Sequence, residues 1–302
     1  MRNVMKTLVV LMLAVMLAAG AAYAEDGFKV VAPDGAPALA VCALGDRVEK
    51  ISADTISSAF DKEEADFIIA PVNAGATLFL KGKSTYRLAA MVTWGNLVFA
   101  SQLPGFTPED INGKKLTLFG ENTVNAGIAL WILQEKGIVP SEVEPLGGAK
   151  NTQELLIKDA EAIVMTAEPA ASAAQMKNEA VTIWNLSDLY RDITGKDGFP
   201  QAGLFVRAKT LEENPEEVKS WIALIRDSAN RVETDLEAVA KDAVEMGIMP
   251  NEKLALKAIP SCHIRYVPAA EAREEIEAVA QQLGLNYFGG ELPADDFYYG
   301  AE

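Results

Sequence analysis

Two stretches with the same layout decide the fold: KVVAPDGAP (residues 29–37) opens the first, and KLTLFGENT (residues 115–123) opens the second. Each starts as an apolar, strand-like run and ends in a polar loop that leads into a helical segment. Further along, ADFIIAPVN (residues 65–73) and AEAIVMTAEP (residues 160–169) repeat the change from strand to polar loop to helix. Residues 29–186 are therefore predicted to hold one α/β unit twice.

The alternation of strands and helices predicts an α/β protein with two lobes, each a mostly parallel sheet flanked by helices. Continuous apolar runs such as residues 67–70 are typical of parallel strands that are covered on both faces. Two segments, near residues 93–97 and 199–204, are expected to join the lobes as hinge crossings. Because open parallel sheets bind ligands at the carboxyl ends of their strands, the polar loops of both lobes are expected to face one cleft.

The N-terminus reads as an export signal rather than as part of the fold. Arg2 and Lys6 give it a basic start, and residues 8–19 are its apolar middle. This apolar run is too short to span a bilayer. We therefore expect residues 1–24 to be removed by cleavage near Ala24, which leaves a periplasmic or secreted mature protein.

The mature chain is expected to divide at the two crossings. The first lobe would consist of residues 25–96 together with residues 205–302, and the second lobe of residues 97–204. The length fits two domains of ordinary size.

The charge of the chain excludes some classes of partner. Its 302 residues include 27 Lys and Arg against 43 Asp and Glu, for a net charge of −16, which becomes −18 without Arg2 and Lys6. Such a chain repels nucleic acid and anionic lipid. We expect no nucleic-acid partner and a monomer, with the charge serving the solubility of an exported protein.

The two cysteines allow two interpretations. Cys42 and Cys262 could form a disulfide in an oxidising compartment, and the chain-entropy model gives such a long loop about 5 kcal/mol of stabilisation. Alternatively, both are buried, unpaired thiols. They are too few and too far apart in sequence to indicate a metal site, and we expect neither a metal nor a cofactor.

Four segments resemble a known family. VVAPDGAPALA (residues 30–40), ADFIIAPVNAG (residues 65–75), TWGN (residues 93–96) and GGELP (residues 289–293) resemble bacterial ABC-transporter substrate-binding proteins. The most similar branch contains the receptors for nitrate, sulfonate, taurine and thiamine pyrimidines. The resemblance covers essentially the whole mature chain. It implies the type II periplasmic-binding-protein fold, closure of two lobes on a small solute, and delivery of that solute to the membrane permease of an ABC importer.

The resemblance also implies a set of ligand-binding residues. In the family these lie in the loops after the first and third strands of each lobe and in the crossings. On this chain they are Asp34, Gly35, Ala36, Asn73, Ala74, Thr93, Trp94, Asn96, Glu121, Asn122, Thr123, Thr166, Glu168 and Phe199, with Gln201 as the alternative to Phe199. Asn73 and Thr123 could instead be ordinary helix caps, and Trp94 could be hinge packing rather than a stacking surface. Glu168 could be an acid at a helix N-terminus that interacts only with the helix dipole.

The charges in these loops predict the kind of solute. Helix N-termini favour anions, but the predicted loops carry Asp34, Glu121 and Glu168 and neither Arg nor Lys. Three carboxylates around a desolvated anion would be costly. We therefore expect a neutral or cationic solute, such as a nitrogen heterocycle or an amine, that could stack on Trp94.

The sequence does not favour an enzyme. Its one histidine, His263, lies outside the predicted cleft loops, and no nucleophile, phosphate-loop or metal-spacing motif is found. We therefore expect no catalytic residues. The alternatives are an enzyme of the same fold, such as a pyrimidine-precursor synthase or a dehydratase, and a solute sensor without transport.

Overall fold

The protein is described by a computed structural model of residues 27–121 and 123–300, apart from the side chain of Asp54. The predicted export signal, residues 1–24, lies outside this range. No helix in these two ranges is both long enough and apolar enough to cross a membrane.

Strands and helices alternate along most of the chain. The strands are β1 (Val30–Pro33), β2 (Val48–Ile51), β3 (Phe67–Pro71), β4 (Arg87–Thr93), β5 (Leu97–Ser101), β6 (Lys115–Phe119), β7 (Glu142–Leu146), β8 (Ile163–Ala167), β9 (Thr182–Asn185), β10 (Ala202–Val206) and β11 (Ile264–Pro268). The helices are α1 (Ala36–Leu39), α2 (Ile56–Lys62), α3 (Val72–Leu80), α4 (Val124–Glu135), α5 (Ala149–Lys158), α6 (Ala170–Lys177), α7 (Leu186–Thr194), α8 (Ala208–Glu213), α9 (Pro215–Thr234), α10 (Leu236–Glu245), α11 (Glu252–Ala258) and α12 (Ala269–Leu283).

The strands form two sheets that share one plan. The first has the order β11-β4-β10-β3-β1-β2, and the second has the order β9-β5-β8-β6-β7. Strands β4, β10, β3, β1 and β2 of the first sheet thus match β9, β5, β8, β6 and β7 of the second. The predicted α/β class and the predicted repeat of one unit are confirmed, and β11 at the edge of the first sheet is an addition that the sequence analysis missed.

Three strands, β5, β10 and β11, run against the direction of the others, which modifies the expectation of mostly parallel sheets. Strand β11 is antiparallel to β4 at the edge of the first sheet. β1 pairs in parallel with β2 and β3, and β6 with β7 and β8. In contrast, β10 is antiparallel to β3 and β4, and β5 is antiparallel to β8 and β9. Strands β10 and β5 each directly follow a crossing. Each of them enters its sheet at the end where the parallel strands have their carboxyl ends, so it must run in the opposite direction.

Within the described residues the chain passes between the sheets twice. The first crossing, residues 94–96, joins β4 to β5, and the second, residues 195–201, joins α7 to β10. The second crossing lies earlier than the predicted residues 199–204, because residues 202–204 already belong to β10. Each sheet therefore contains one strand that is delivered directly by a crossing from the other.

The sheets are covered on both faces. Val31 of β1 packs into one buried cluster, whereas its neighbours Val30 and Ala32 pack into another, as the two-residue period of a strand requires. The cluster that contains Val31 continues into the second sheet, where it includes Phe99 of β5. The two halves are thus separate sheets that share a buried layer.

Candidate functional site

Both crossings lie at one end of the first sheet, where its parallel strands have their carboxyl ends. Ala202, the first residue of β10, lies opposite both Pro71 of β3 and Thr93 of β4. Gln201, just before it, accepts a hydrogen bond from Val72 N at 3.0 Å through its carbonyl. Thr93 is 1% exposed, and its Oγ1 accepts a hydrogen bond from Ala202 N at 2.8 Å.

The second sheet presents an equivalent edge. Leu97, the first residue of β5, lies opposite Ala167, the last residue of β8. Directly beyond this pair, Glu168 N donates to Asn96 O at 2.8 Å, and Asn96 Nδ2 donates to Glu168 O at 2.8 Å. The first crossing and the loop after β8 are therefore locked together by backbone and amide groups.

The side chain of Gln201 connects the two sheets by bonding the backbone of Asn96 and the side chain of Asn125. Asn96 N donates to Gln201 Oε1 at 3.1 Å, and Gln201 Nε2 donates to Asn125 Oδ1 at 3.0 Å. Asn96 and Gln201 lie in the two crossings, and Asn125 lies in the first turn of α4. We call Asn96, Asn125 and Gln201 the amide cluster. Amide groups both donate and accept hydrogen bonds, so this cluster can recognise a polar solute.

Glu168 is buried beside this cluster, with 3% of its surface exposed. Its carboxylate accepts a hydrogen bond from Ser172 N at 3.0 Å and another from Ser172 Oγ at 3.0 Å. Burial raises the pKa of Glu168, and the bonds from Ser172 and the charge of Lys257 only partly oppose this. The carboxylate is therefore held by the first turn of the following helix, α6, which is the structural alternative to solute binding.

Asp34, after β1, stands in a different environment. Its side chain is 64% exposed, and Oδ1 lies 3.6 Å from Lys50 Nζ. Lys50 is part of β2, the parallel neighbour of β1. A lysine thus stands beside an acid that the sequence analysis treated as unpaired.

The other predicted loop residues take several positions. Gly35, with φ 102°, precedes α1, and Ala36 is the first residue of that helix and is buried. Ala74 is half-buried in α3, and Glu121 is exposed after β6. Asn122 lies outside the described residues.

Asn73 and Thr123 do not act as side-chain caps. Asn73 is the second residue of α3, which starts after Pro71, and its Nδ2 donates to Tyr287 O at 3.2 Å. Thr123 precedes α4, but its hydroxyl donates to Gly120 O. The capping alternative is therefore wrong for both side chains, and Asn73 instead ties α3 to the segment after α12.

Thr166 has a structural role inside the second half. It is fully buried in β8, and its Oγ1 accepts from Thr152 Oγ1 at 2.8 Å. Because Thr152 belongs to α5, this bond fastens that helix to the sheet.

The two aromatic residues of the crossings are buried. Trp94 Nε1 donates to Arg265 O at 2.9 Å, and the Arg265 guanidinium lies 4.4 Å from the centre of the indole ring. Phe199 is fully buried and meets the Tyr190 ring edge-to-face at 5.6 Å. Both side chains pack against the crossings. The Trp94 ring, which was expected to stack on a solute, is instead stacked with the guanidinium of Arg265.

Two glycines allow the crossings to touch. Gly95 and Gly198 have φ 88° and 89°, a conformation that other residues rarely adopt. A Cβ atom on Gly198 would lie 2.3 Å from Trp94 O, and one on Gly95 would lie 2.6 Å from the Phe199 ring. The two crossings are therefore in backbone contact at Gly198 and Trp94.

The halves also meet on either side of the crossings. Helix α6 contacts α11, and α4 contacts α12. Tyr190 of α7 donates through its hydroxyl to Gln282 Oε1 of α12 at 3.2 Å. The amide cluster thus lies between two halves that are in contact.

Cys42 and Cys262 are both free and buried, which is the second of the two alternatives considered for them. Burial raises the pKa of the Cys42 thiol to about 11 and that of Cys262 well above its ordinary value. Both thiols are consequently protonated at neutral pH. Among the described residues, no group of three or more His, Cys, Asp or Glu side chains could hold a metal ion.

The sequence did not predict three residues that contribute to the site: Asn125, Ser172 and Lys50. Asn125 follows two residues after the predicted Thr123, so the polar character of this helix start was a usable signal. Lys50 and Ser172 gave no such signal, since they lie in a regular strand and a regular helix.

Comparisons with known proteins agree with this architecture. Residues 96–238 match the family model described as NMT1/THI5 like. None of the curated proteins compared with the chain matches it.

Solved structures match the chain over most of its length. One is an ABC transporter structure from Parabacteroides distasonis, with a TM-score of 0.79 and 20% identity, covering 92% of this chain and 100% of that one. Another is the alkanesulfonate-binding protein SsuA from Xanthomonas axonopodis pv. citri bound to MOPS, with a TM-score of 0.66, 14% identity, and coverage of 90% and 96%. The periplasmic aliphatic sulphonate binding protein SsuA from Escherichia coli has a TM-score of 0.65, 13% identity, and coverage of 91% of each chain.

These comparisons confirm the resemblance that the sequence motifs indicated. The chain has the two-sheet fold of ABC-transporter substrate-binding proteins, and residues 96–238 match the NMT1/THI5-like family model.

Proposed function

We propose that the mature protein is an extracytoplasmic receptor that binds a small solute between its two halves and delivers it to the permease of an ABC importer. The observation that carries the proposal is the amide cluster, where both crossings and helix α4 meet between the two sheets. A ligand at this point touches both halves and the hinge at once. It therefore favours the closed arrangement over an open one.

The proposed lobes follow the two sheets, with residues 94–96 and 195–201 as the hinge. Gly95 and Gly198 permit the close contact of the two strands there. Because each crossing is short and packed against the other, the expected motion is a rotation about this pair rather than free movement of two tethered domains.

The charges favour a neutral polar solute over a cation. Asp34 lies beside Lys50, and the buried carboxylate of Glu168 is held by Ser172 and faces the charge of Lys257. Two of the three acids that suggested a cationic solute are thus partly balanced. The three amides offer both donors and acceptors, which suits a neutral nitrogen heterocycle or a small amide. The sulfonate ligands named for two neighbours are anions, and the uncharged amide cluster offers them no cationic partner.

A thermal-shift screen of the mature protein, from residue 25, tests the proposal. The compounds are nucleobases, vitamins, small amides, amines, amino acids and sulfonates. A solute at 100 times its Kd stabilises the folded protein by about 2.7 kcal/mol. We expect the hit among the neutral heterocycles and amides, and a response to sulfonates alone would contradict the charge argument.

Matched variants place the hit in the protein. Gln201→Ala and Asn125→Ala should each weaken binding about tenfold, because each leaves a polar solute group without its partner. The exposed Gln281→Ala is the control and should leave binding unchanged. A hit that all three variants bind equally does not occupy the amide cluster.

Uptake separates transport from the alternatives. Deleting the gene from its source strain should abolish uptake of the labelled hit, and the wild-type gene, but not Gln201→Ala, should restore it. Normal uptake after deletion would favour a solute sensor. Chemical conversion of the hit by the pure protein would favour an enzyme of the same fold.

A further inference from the structure

A cavity of about 360 Å³ lies beside the crossings. Trp94 and Asp197 line it from the two crossings, and His263 and Arg265 line it from the start of β11. Val232 of α9 forms part of its apolar wall. None of its lining residues belongs to the amide cluster, so it is a separate feature of the molecule.

Two polar atoms in this wall are buried without a hydrogen-bond partner among the described residues. They are His263 Nε2 and Arg265 Nε. The rest of the guanidinium is engaged, since Nη2 donates to Asp197 O at 3.3 Å and Nη1 lies 3.6 Å from Asp197 Oδ2. A buried polar atom without a partner is unfavourable, and an acceptor group on a ligand would relieve this at Arg265 Nε.

The position of these groups is fixed by their neighbours. The guanidinium rests 4.4 Å above the Trp94 ring, and His263 O accepts from Trp94 N at 2.9 Å. Burial lowers the pKa of His263 against the opposing influence of Asp188 and Asp197, so the ring is neutral at neutral pH. A neutral imidazole can carry its proton on Nε2 and donate it to a ligand.

Two carboxylates also line the cavity. Glu233, near the end of α9, is exposed, and the Asp197 side chain is 69% exposed. Asp197 Oδ1 also accepts a hydrogen bond from Arg191 Nη1 at 3.3 Å. The cavity is thus lined by possible hydrogen-bond donors on His263 and Arg265, by the carboxylates of Asp197 and Glu233, and by the apolar side chains of Val232 and Ile264. This set of groups is complementary to a molecule that carries both an acceptor and a cation.

We propose that the cavity is a second small-molecule site that takes a zwitterion, with the ligand carboxylate at Arg265 Nε and His263 Nε2 and the ligand ammonium group at Asp197 and Glu233. The site does not depend on the proposed receptor function, because its groups are apart from the amide cluster. Its wall includes both crossings, so an occupant contacts the hinge itself.

His263 supplies the measurement, because it is the one histidine in the chain. The imidazole signal of the untagged mature protein is followed by NMR at neutral pH during titration with 4-aminobutanoate. Butanoate and butylamine, which lack the ammonium group and the carboxylate respectively, are the matched probes. We expect a saturable shift with 4-aminobutanoate and at least fivefold weaker binding of the other two.

Variants identify the site that binds the probe. Glu233→Gln should weaken 4-aminobutanoate binding about threefold, as expected for one exposed ion pair. Glu237→Gln, an exposed acid four residues along that does not line the cavity, should not change it. Asn125→Ala should also leave it unchanged.

Three results would overturn the proposal. They are no saturable shift up to 50 mM, equal shifts with all three probes, and a shift that Asn125→Ala abolishes but Glu233→Gln preserves. The last result would place the probe at the amide cluster, which would leave the receptor proposal standing. Conversely, failure of the solute screen would not affect the titration of His263.

Discussion

The loops after β3 and β8 occupy matching places in the two sheets, yet their polar side chains form different kinds of hydrogen bond. After β8, Glu168 is buried, and both of its carboxylate oxygens accept hydrogen bonds from Ser172 in the helix that follows. After β3, Asn73 is half-buried and reaches across to Tyr287 O, far along the chain.

The loops after β1 and β6 also differ from the loop after β8. Asp34 is mostly exposed beside Lys50, and Glu121 is exposed. A repeated fold therefore repeats strand ends but not their chemistry. The buried acid stabilises its own half, whereas the exposed acids remain open to solvent and solute.

The largest effect is expected where the halves are joined. Gly198→Ala places a Cβ atom 2.3 Å from Trp94 O at φ 89°, so the crossings must separate. We expect the free energy of unfolding in urea to fall by about 3 kcal/mol or more. Gly195→Ala, with φ 72° and open space around its Cβ, should cost only about 1 kcal/mol. Equal losses in the two variants would show that the contact between the crossings is unimportant.

The second largest loss of stability is expected when the buried acid Glu168 is replaced. Glu168→Ala removes the acceptor for Ser172 N and Oγ in a site that is 3% exposed, and we expect a loss of about 2 kcal/mol. The exposed Glu161→Ala in the same half is the control and should change stability by less than about 0.5 kcal/mol. A loss below that level in Glu168→Ala would remove the contrast between the two halves.

The same acid should give stability a characteristic pH dependence. Burial raises the pKa of Glu168, so the folded protein holds this proton more tightly than the unfolded chain does. Its contribution favours folding below the ordinary glutamate pKa and is lost as the pH rises through the raised value. The stability of the wild type relative to Glu168→Gln should therefore fall from pH 4 upward and then level off. A difference that is constant across this range in urea titrations would contradict the burial argument.

The smallest effect is expected at the exposed acid. Asp34→Asn breaks the pair with Lys50, but the Asp34 side chain is 64% exposed and the two atoms are 3.6 Å apart. The loss should be below about 0.5 kcal/mol and should vanish in 1 M salt. A larger loss that persists in salt would mean that this loop is as firmly held as the loop after β8.

Much of the fold could be predicted from local patterns. The apolar runs before Asp34, Asn73 and Glu168 marked three strand ends correctly, and the matched order of motifs indicated two similar sheets. Strand β11 was missed because its sequence, IRYVP, is half-buried and contains an arginine. The reversal of β5 and β10 was missed because pairing direction depends on where a crossing enters the sheet.

The candidate site was predicted less completely. The loops that form it were identified, but Asn125 and Lys50 were not. The burial of Trp94 agrees with hinge packing, one of the two alternatives considered for it, whereas the burial of Phe199 was not foreseen. A side chain just beyond a strand end can face the cleft, the helix that follows or the hinge. These choices depend on atoms that are distant in sequence, such as Arg265 above Trp94.

The sequence by itself determined the repeated unit, the main strand ends and the approximate places of the two crossings, because periodicity and backbone freedom are local properties of the chain. The tertiary structure alone decided which acid is buried and which is exposed. It also decided that Ser172 holds Glu168 and that Gln201 links Asn96 to Asn125. Hydrogen-bond partners and burial arise only when separate segments are packed together, and so they cannot be read from one segment at a time.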